Sequence, residues 1–138
     1  MVDRHVVRAR IGKIREYVAL LRKIRRLADE ARFVKDPLIH GNAERYLQLA
    51  IQGVLDISNH VVADMGLSLP TDNKEMFDLL AKRKIVSSRL AKKLVSMAGF
   101  RNILVHEYLE IDRRRVYQVL TNELQDFDRF IQAVTKLL

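Results

Sequence analysis

The chain has 138 residues, with 25 lysines and arginines against 17 aspartates and glutamates, a formal charge of +8 and no cysteine. This length fits one domain, residues 1–138, with a sizeable core. The charge favours polyanionic partners, either nucleic acid or an anionic membrane face. The missing thiols exclude disulfides and thiol catalysis and fit a reducing compartment, so a cytoplasmic location is expected. No apolar run approaches the roughly 18 residues of a membrane span, and the first thirty residues hold no leader-like apolar stretch, so neither membrane insertion nor secretion is predicted.

A first helix is expected over roughly residues 2–28. Val7, Ile11, Ile14, Val18 and Leu21 step by four and three and form one apolar face. The opposite side carries Arg4, Arg8, Arg10, Lys13, Arg15, Arg22, Lys23, Arg25 and Arg26. It reads either as a solvated face with snorkelling stems or as a surface that attracts phosphate. Residues 29–36 read as a connector. Pro37 suits a first helical position after Asp36, although Gly41-Asn42 is an alternative start. The second helix continues to about Met65 through Leu47, Ile51, Val54, Ser58 and Val61, with Gly66 as its stop. Asp72, with Glu75 three residues on, caps a short helix that ends near Lys84. Ser87 or Ser88 caps the fourth helix. Asp112 caps a fifth, with the stripe Val116, Leu120, Leu124, Phe127, Ile131, Val134 and Leu138. Four long amphipathic helices and one short one predict an all-α antiparallel bundle.

The fourth helix carries the segment Arg101-Asn102-Ile103-Leu104-Val105-His106-Glu107-Tyr108. Leu90, Leu94, Met97, Arg101, Leu104 and Tyr108 follow helical spacing, which puts Arg101 in the apolar stripe. A guanidinium there must be paired or used, because an unpaired charge is costly to desolvate. On an ideal helix Arg101 and His106 are about 140° apart, so the helix alone does not bring them together. A long arginine, a frayed helix end or a second subunit must close that gap.

These residue types suit phosphodiester chemistry. His106 can act as base or acid, since an imidazole titrates near neutrality. Arg101 offers a planar cation matched to phosphate oxygens. Asn102 can orient the imidazole or a phosphate, and Tyr108 can donate a hydrogen bond or stack on a base. A single motif supplies one imidazole; two copies across a dimer joined through this helix face supply both acid and base. The plainer alternative is a structural histidine beside an ordinary Arg–Tyr packing pair. Arg113, Arg114 and Arg115 fall in the first turn of helix five, where the helix dipole disfavours cations. A polyanion such as RNA would relieve that charge, although chance surface arginines read as well.

The motif resembles the signature of HEPN-domain ribonucleases: an arginine, a polar residue, three free positions and a histidine, with a tyrosine two further on. In particular the chain is similar to the HepT toxins of HepT–MntA toxin–antitoxin pairs. The resemblance extends through Ala43-Glu44-Arg45-Tyr46-Leu47, Ala50-Ile51, Asp56-Ile57, His60, Gly99-Phe100, Val116-Tyr117 and Asp126-Phe127, about residues 43–130. It implies a HEPN-like bundle that dimerises with its motifs facing one cleft. It also implies a metal-independent endoribonuclease that leaves a cyclic phosphate and needs no cofactor. Arg101 and His106 would be catalytic, and Asn102 would fill the polar position. Tyr108 would be the residue that a partner nucleotidyltransferase antitoxin modifies with AMP. Asp56 and His60 match family positions without a derivable role, and a plain polar pair is the ordinary reading.

Two other classes compete. A non-catalytic HEPN module would bind nucleotide or RNA for a nucleotidyltransferase partner, and a plain bundle would serve as an assembly adaptor. Neither a zinc-ligand cluster, a phosphate-binding glycine loop nor a serine-triad context is visible, so other enzyme classes lack support.

Overall fold

The computed structural model describes residues 2–138, apart from the side chain of Tyr108. Among them are seven α-helices: α1 (Arg4–Leu27), α2 (Glu30–Lys35), α3 (Pro37–Asp64), α4 (Asn73–Lys82), α5 (Ser88–His106), α6 (Arg113–Asn122) and α7 (Gln125–Thr135). A short 3-10 turn, Tyr108–Glu110, separates α5 from α6. The all-α expectation is met.

Local chemistry sets most of the helix starts. The carboxylates of Asp3, Asp29, Asp36, Asp72 and Asp112 and the hydroxyl of Ser87 each accept a hydrogen bond from a backbone N–H of the first turn they precede. Such caps satisfy donors that a helix leaves orphaned. Pro37 opens α3, so Gly41-Asn42 lies inside the helix rather than at its start. Gly66, at φ 71°, follows α3 in the left-handed region that stops a helix.

Two expectations need correction. Residues 29–36 are not an open connector, because Asp29 caps the short helix α2, which buries Phe33. The fifth helix is broken into α6 and α7 at Glu123–Leu124. Thr121 Oγ1 donates back to the Tyr117 carbonyl (2.9 Å), a contact that bends helices. Gln125 Nε2 takes the Asn122 carbonyl (2.7 Å). The apolar stripe runs through the break, and each half packs on different neighbours: α6 against α1, α2 and α3, and α7 mainly against α5.

α1 and α3 run antiparallel. The backbone N–H of Asp3 donates to His60 Nε2 (3.3 Å) near one end of the pair. Arg10 meets Asp56 at 3.5 Å, and the rings of Tyr17 and Tyr46 stack at 6.2 Å. Near the other end, Tyr117 Oη donates to the Ala28 carbonyl (3.1 Å). The two helices pack tightly at Gly53, where a Cβ would lie 2.7 Å from Ile14 Cγ1. Val7, Ile14, Leu21, Phe33, Leu47, Ile51, Phe77, Leu94, Phe127 and Phe130 join one continuous core.

Candidate functional site

The motif occupies the last turns of α5. Leu90, Leu94, Met97 and Leu104 are buried on the face that carries Arg101, which is itself half-buried. The arginine therefore does lie in the apolar stripe. Its Nε is enclosed and has no hydrogen-bond partner, while Nη1 donates weakly to Asn102 Oδ1 at 3.4 Å. A buried N–H without an acceptor carries an uncompensated desolvation cost, so the guanidinium is set up for an acceptor that the described residues do not supply. Asn102 and His106 are exposed, and so open to a ligand.

The chain turns immediately after the histidine. Glu107 caps α5, its N–H bonded to the Ile103 carbonyl (2.9 Å), and the 3-10 turn begins at Tyr108. The helical spacing that the sequence carries through Leu104 to Tyr108 is not continued by α5, which ends two residues before the tyrosine. β-branched Ile103 and Val105 weaken the last turn. Burial of Ile111 draws the chain back to the core. The Tyr108 side chain, the expected site of modification, lies outside the described residues.

Arg113, Arg114 and Arg115 do not converge. Arg113 turns inward: Nη1 donates to the Ile111 carbonyl (3.3 Å) and Nε lies 3.5 Å from Glu44 Oε2. At that distance the Glu44 contact is coulombic, and the Nε–H itself has no hydrogen-bond acceptor. Arg114 reaches toward Glu30 on α2 (3.9 Å). Arg115 lies over the Phe100 ring on α5, 5.4 Å from its centroid. Asp112 Oδ1 accepts from the N–H groups of Arg114 and Arg115, so a carboxylate already answers the positive end of α6.

The sequence reading gave Glu44 no role. Its carboxylate also meets His40 Nδ1 at 3.2 Å, and His40, Glu44 and Arg113 together tie the start of α3 to the segment that follows the motif. His40 and Glu44 lie one turn apart on α3, a spacing visible in the sequence, but the third member comes from α6 and only the fold supplies it. Asp56 and His60 also acquire contacts: Asp56 accepts from Gln52 Nε2 (2.9 Å) and pairs with Arg10, and His60 accepts the Asp3 N–H. Both fasten α1 to α3, as a polar pair would. A groove of about 460 Å³ between these helices is lined by Arg10, Lys13, Tyr17, Gln52 and Asp56 and contains no motif residue.

Residues 14–134 match the model of the HepT-like ribonuclease family. The chain belongs to that family. The mRNA nuclease HepT of Shewanella oneidensis is 30% identical over 125 residues, spanning 90% of this chain and 94% of the relative. The tRNA nuclease HepT of Aphanizomenon flos-aquae is 30% identical over 135 residues, 96% of this chain and 90% of the relative. Among solved structures, a tri-AMPylated HEPN toxin of Shewanella oneidensis, in complex with its MNT antitoxin, superposes with a TM-score of 0.88. It is 26% identical, and the match covers 97% of this chain and 99% of that one. This HepT-like chain therefore shares its whole helical framework with known toxins. No helix among its described residues is long and apolar enough to cross a membrane.

Proposed function

We infer that this HepT-like chain is the endoribonuclease toxin of a two-protein toxin–antitoxin pair. It cleaves RNA without metal through Arg101 and His106 and is silenced when its antitoxin attaches AMP to Tyr108. The observation that carries the reading is Arg101: a half-buried guanidinium whose Nε has no acceptor among the described residues, on the helix whose exposed end is His106. Family membership, two nuclease relatives and the AMPylated neighbour support it.

In the proposed reaction the RNA 2′-oxygen attacks the adjacent phosphorus as its proton passes to a base. The P–O5′ bond breaks and the leaving 5′-oxygen takes a proton, so a 2′,3′-cyclic phosphate and a 5′-hydroxyl result. His106 performs one of the two proton transfers. Arg101 holds the charge that grows on the phosphorane oxygens, and Asn102 orients phosphate or imidazole. The second proton transfer falls to His106 of a second copy.

The apolar stripe of α5 is already covered within the chain, so a dimer contact uses the surface beside it. There Ile103 and Val105 are half-buried and Leu109 is 82% exposed. In the proposed off-switch the Tyr108 oxygen attacks the α-phosphorus of ATP and pyrophosphate leaves. The AMP then brings a negative phosphate and a purine to the cleft and competes with RNA for Arg101.

Labelled RNA is incubated with the protein in excess chelator, and product ends are analysed. Cyclic phosphate ends are expected, with turnover reduced about 10²–10⁴-fold in folded His106→Ala. Tyr108→Phe is expected to cleave yet to resist silencing by the cognate nucleotidyltransferase and ATP, with no gain of AMP by intact mass. Wild-type turnover in His106→Ala, or equal silencing of Tyr108→Phe, rejects the respective assignment. RNA binding without cleavage by the wild type would return the chain to a non-catalytic module.

A further inference from the structure

α1 carries nine basic residues and one acid, Glu16. The structure holds four of these bases in contacts and leaves five without an ion pair among the described residues, Lys23 and four arginines. Arg10 pairs with Asp56, Lys13 with Glu16 and Arg22 with Asp128 of α7, while Arg25 Nη1 donates to the Leu120 carbonyl. Arg4, Arg8, Arg15 and Arg26 are exposed and, among the described residues, make no ion pair. These four share a register. At 100° per residue, positions 4, 8, 15, 22 and 26 fall within a sector of about 40°. Arg22 thus belongs to the same row, and its contact with Asp128 places the row on the α7 flank of α1, opposite the flank where Arg10 and Tyr17 face α3. Glu16 lies about 100° away around the helix, engaged by Lys13.

The row has a direction. Its first member stands at the end of the bundle where Asp3 meets His60, late in α3. Its last stands near Ala28, which accepts from Tyr117 of α6. That second end is also where Arg113, seven residues past His106, meets Glu44 early in α3. A file of unpaired guanidinium groups therefore leads along about 33 Å of helix, at 1.5 Å per residue, toward the end of the bundle that holds the motif. This is about the length of ten stacked nucleotides at 3.4 Å.

We propose that the Arg4–Arg8–Arg15–Arg26 row is a backbone track for single-stranded RNA, holding the strand beyond the nucleotides bound at the motif. The inference rests on the ribonuclease reading for its substrate class, and its contacts are distinct from the catalytic ones. Four forks at one register, with Asp128 the row's one carboxylate contact and that contact taken by Arg22, bind phosphates irrespective of base sequence. An acidic protein surface is the competing occupant, and the test separates the two.

The probe is a fluorescent 20-nucleotide RNA carrying 2′-O-methyl groups, which lacks the nucleophile and so survives the wild-type protein. Anisotropy titrations across a series of salt concentrations compare wild type with the triple variant Arg4→Ala, Arg8→Ala, Arg15→Ala. A charge-matched control removes Lys82, Arg83 and Lys84, three exposed bases at the C-terminal end of α4 and just after it. Each lost phosphate contact lowers the slope of log K against log salt by about 0.7 for a single strand, so the triple variant should lose about 2. Its affinity at about 0.1 M salt should fall at least tenfold, while the control keeps the wild-type slope. With cleavable RNA, the triple variant should show a raised KM on the 20-mer at unchanged kcat and full activity on a dinucleotide. An unchanged slope and affinity in the folded triple variant overturns the track, as does an equal loss in the control. Loss of nucleotidyltransferase binding with RNA affinity intact overturns it in favour of a protein partner. A wild type that binds the probe through the row but cleaves no RNA leaves the track standing and removes the ribonuclease reading instead.

Discussion

Arg101 sets local stability against the proposed chemistry. Four buried apolar residues share its face, and its Nε has no acceptor among the described residues. Replacing a strained polar group on such a face with an apolar side chain removes a desolvation cost on the order of 1–3 kcal/mol. Arg101→Leu should therefore melt at least as high as wild type, by up to several degrees, while RNA cleavage is lost. Thermal unfolding followed by circular dichroism, alongside the cleavage assay, reads both quantities. A lower melting temperature would mean that the arginine stem contributes more packing than its head costs. His106 lies on exposed surface five residues on, so its replacement by alanine should touch activity and leave stability alone.

Between elements, the tightest constraint is the crossing of α1 and α3. Ile14 is fully buried, and a methyl at position 53 would stand 2.7 Å from its Cγ1. Gly53→Ala improves helix propensity by about 1 kcal/mol, but it must push the two longest helices apart. A net destabilisation of about 1–2 kcal/mol is expected from denaturant unfolding, with loss of the Arg10–Asp56 and Asp3–His60 contacts that depend on the same approach. A stabilised variant would show that the crossing relaxes freely. Just as α1 and α3 are held by this fit, α6 and α7 are separated by theirs: one uninterrupted stripe in the sequence became two helices because each half follows a different set of neighbours.

For the whole molecule, the motif supplies one imidazole per chain, so the proposed reaction calls for a symmetric pair. Leu109, 82% exposed and three residues past His106, is an exposed apolar side chain close in sequence to the motif. Sedimentation at micromolar concentration should show a dimer, and Leu109→Glu should shift it toward monomer and reduce cleavage without unfolding the protein. A strict monomer that still cleaves RNA, or a Leu109→Glu variant with unaltered association, counts against this arrangement.

Residue chemistry by itself determined the all-α class, the start of α4 at Asp72, that of α6 at Asp112 and the stop at Gly66, and it narrowed the cap of α5 to Ser87 or Ser88, of which the structure uses Ser87. Capping and 3.6-residue periodicity are local properties that no distant contact needs to supply. It also placed Arg101 on a buried face, because helical spacing alone assigns that face. The tertiary structure decided the rest. It split the fifth helix and ended α5 at His106, two residues before Tyr108, because Ile111 returns to the core. It sent Arg113, Arg114 and Arg115 to Glu44, Glu30 and Phe100, which the first turn of one helix could not foretell. It gave Asp56 a partner on α1 and His60 one at that helix's cap, fifty or so residues away in the chain. It also sorted the arginines of α1 into those held by Asp56, Asp128 and the Leu120 carbonyl and those that make no ion pair among the described residues. Spacing states which face a charge occupies, but a partner's position depends on how the other helices pack.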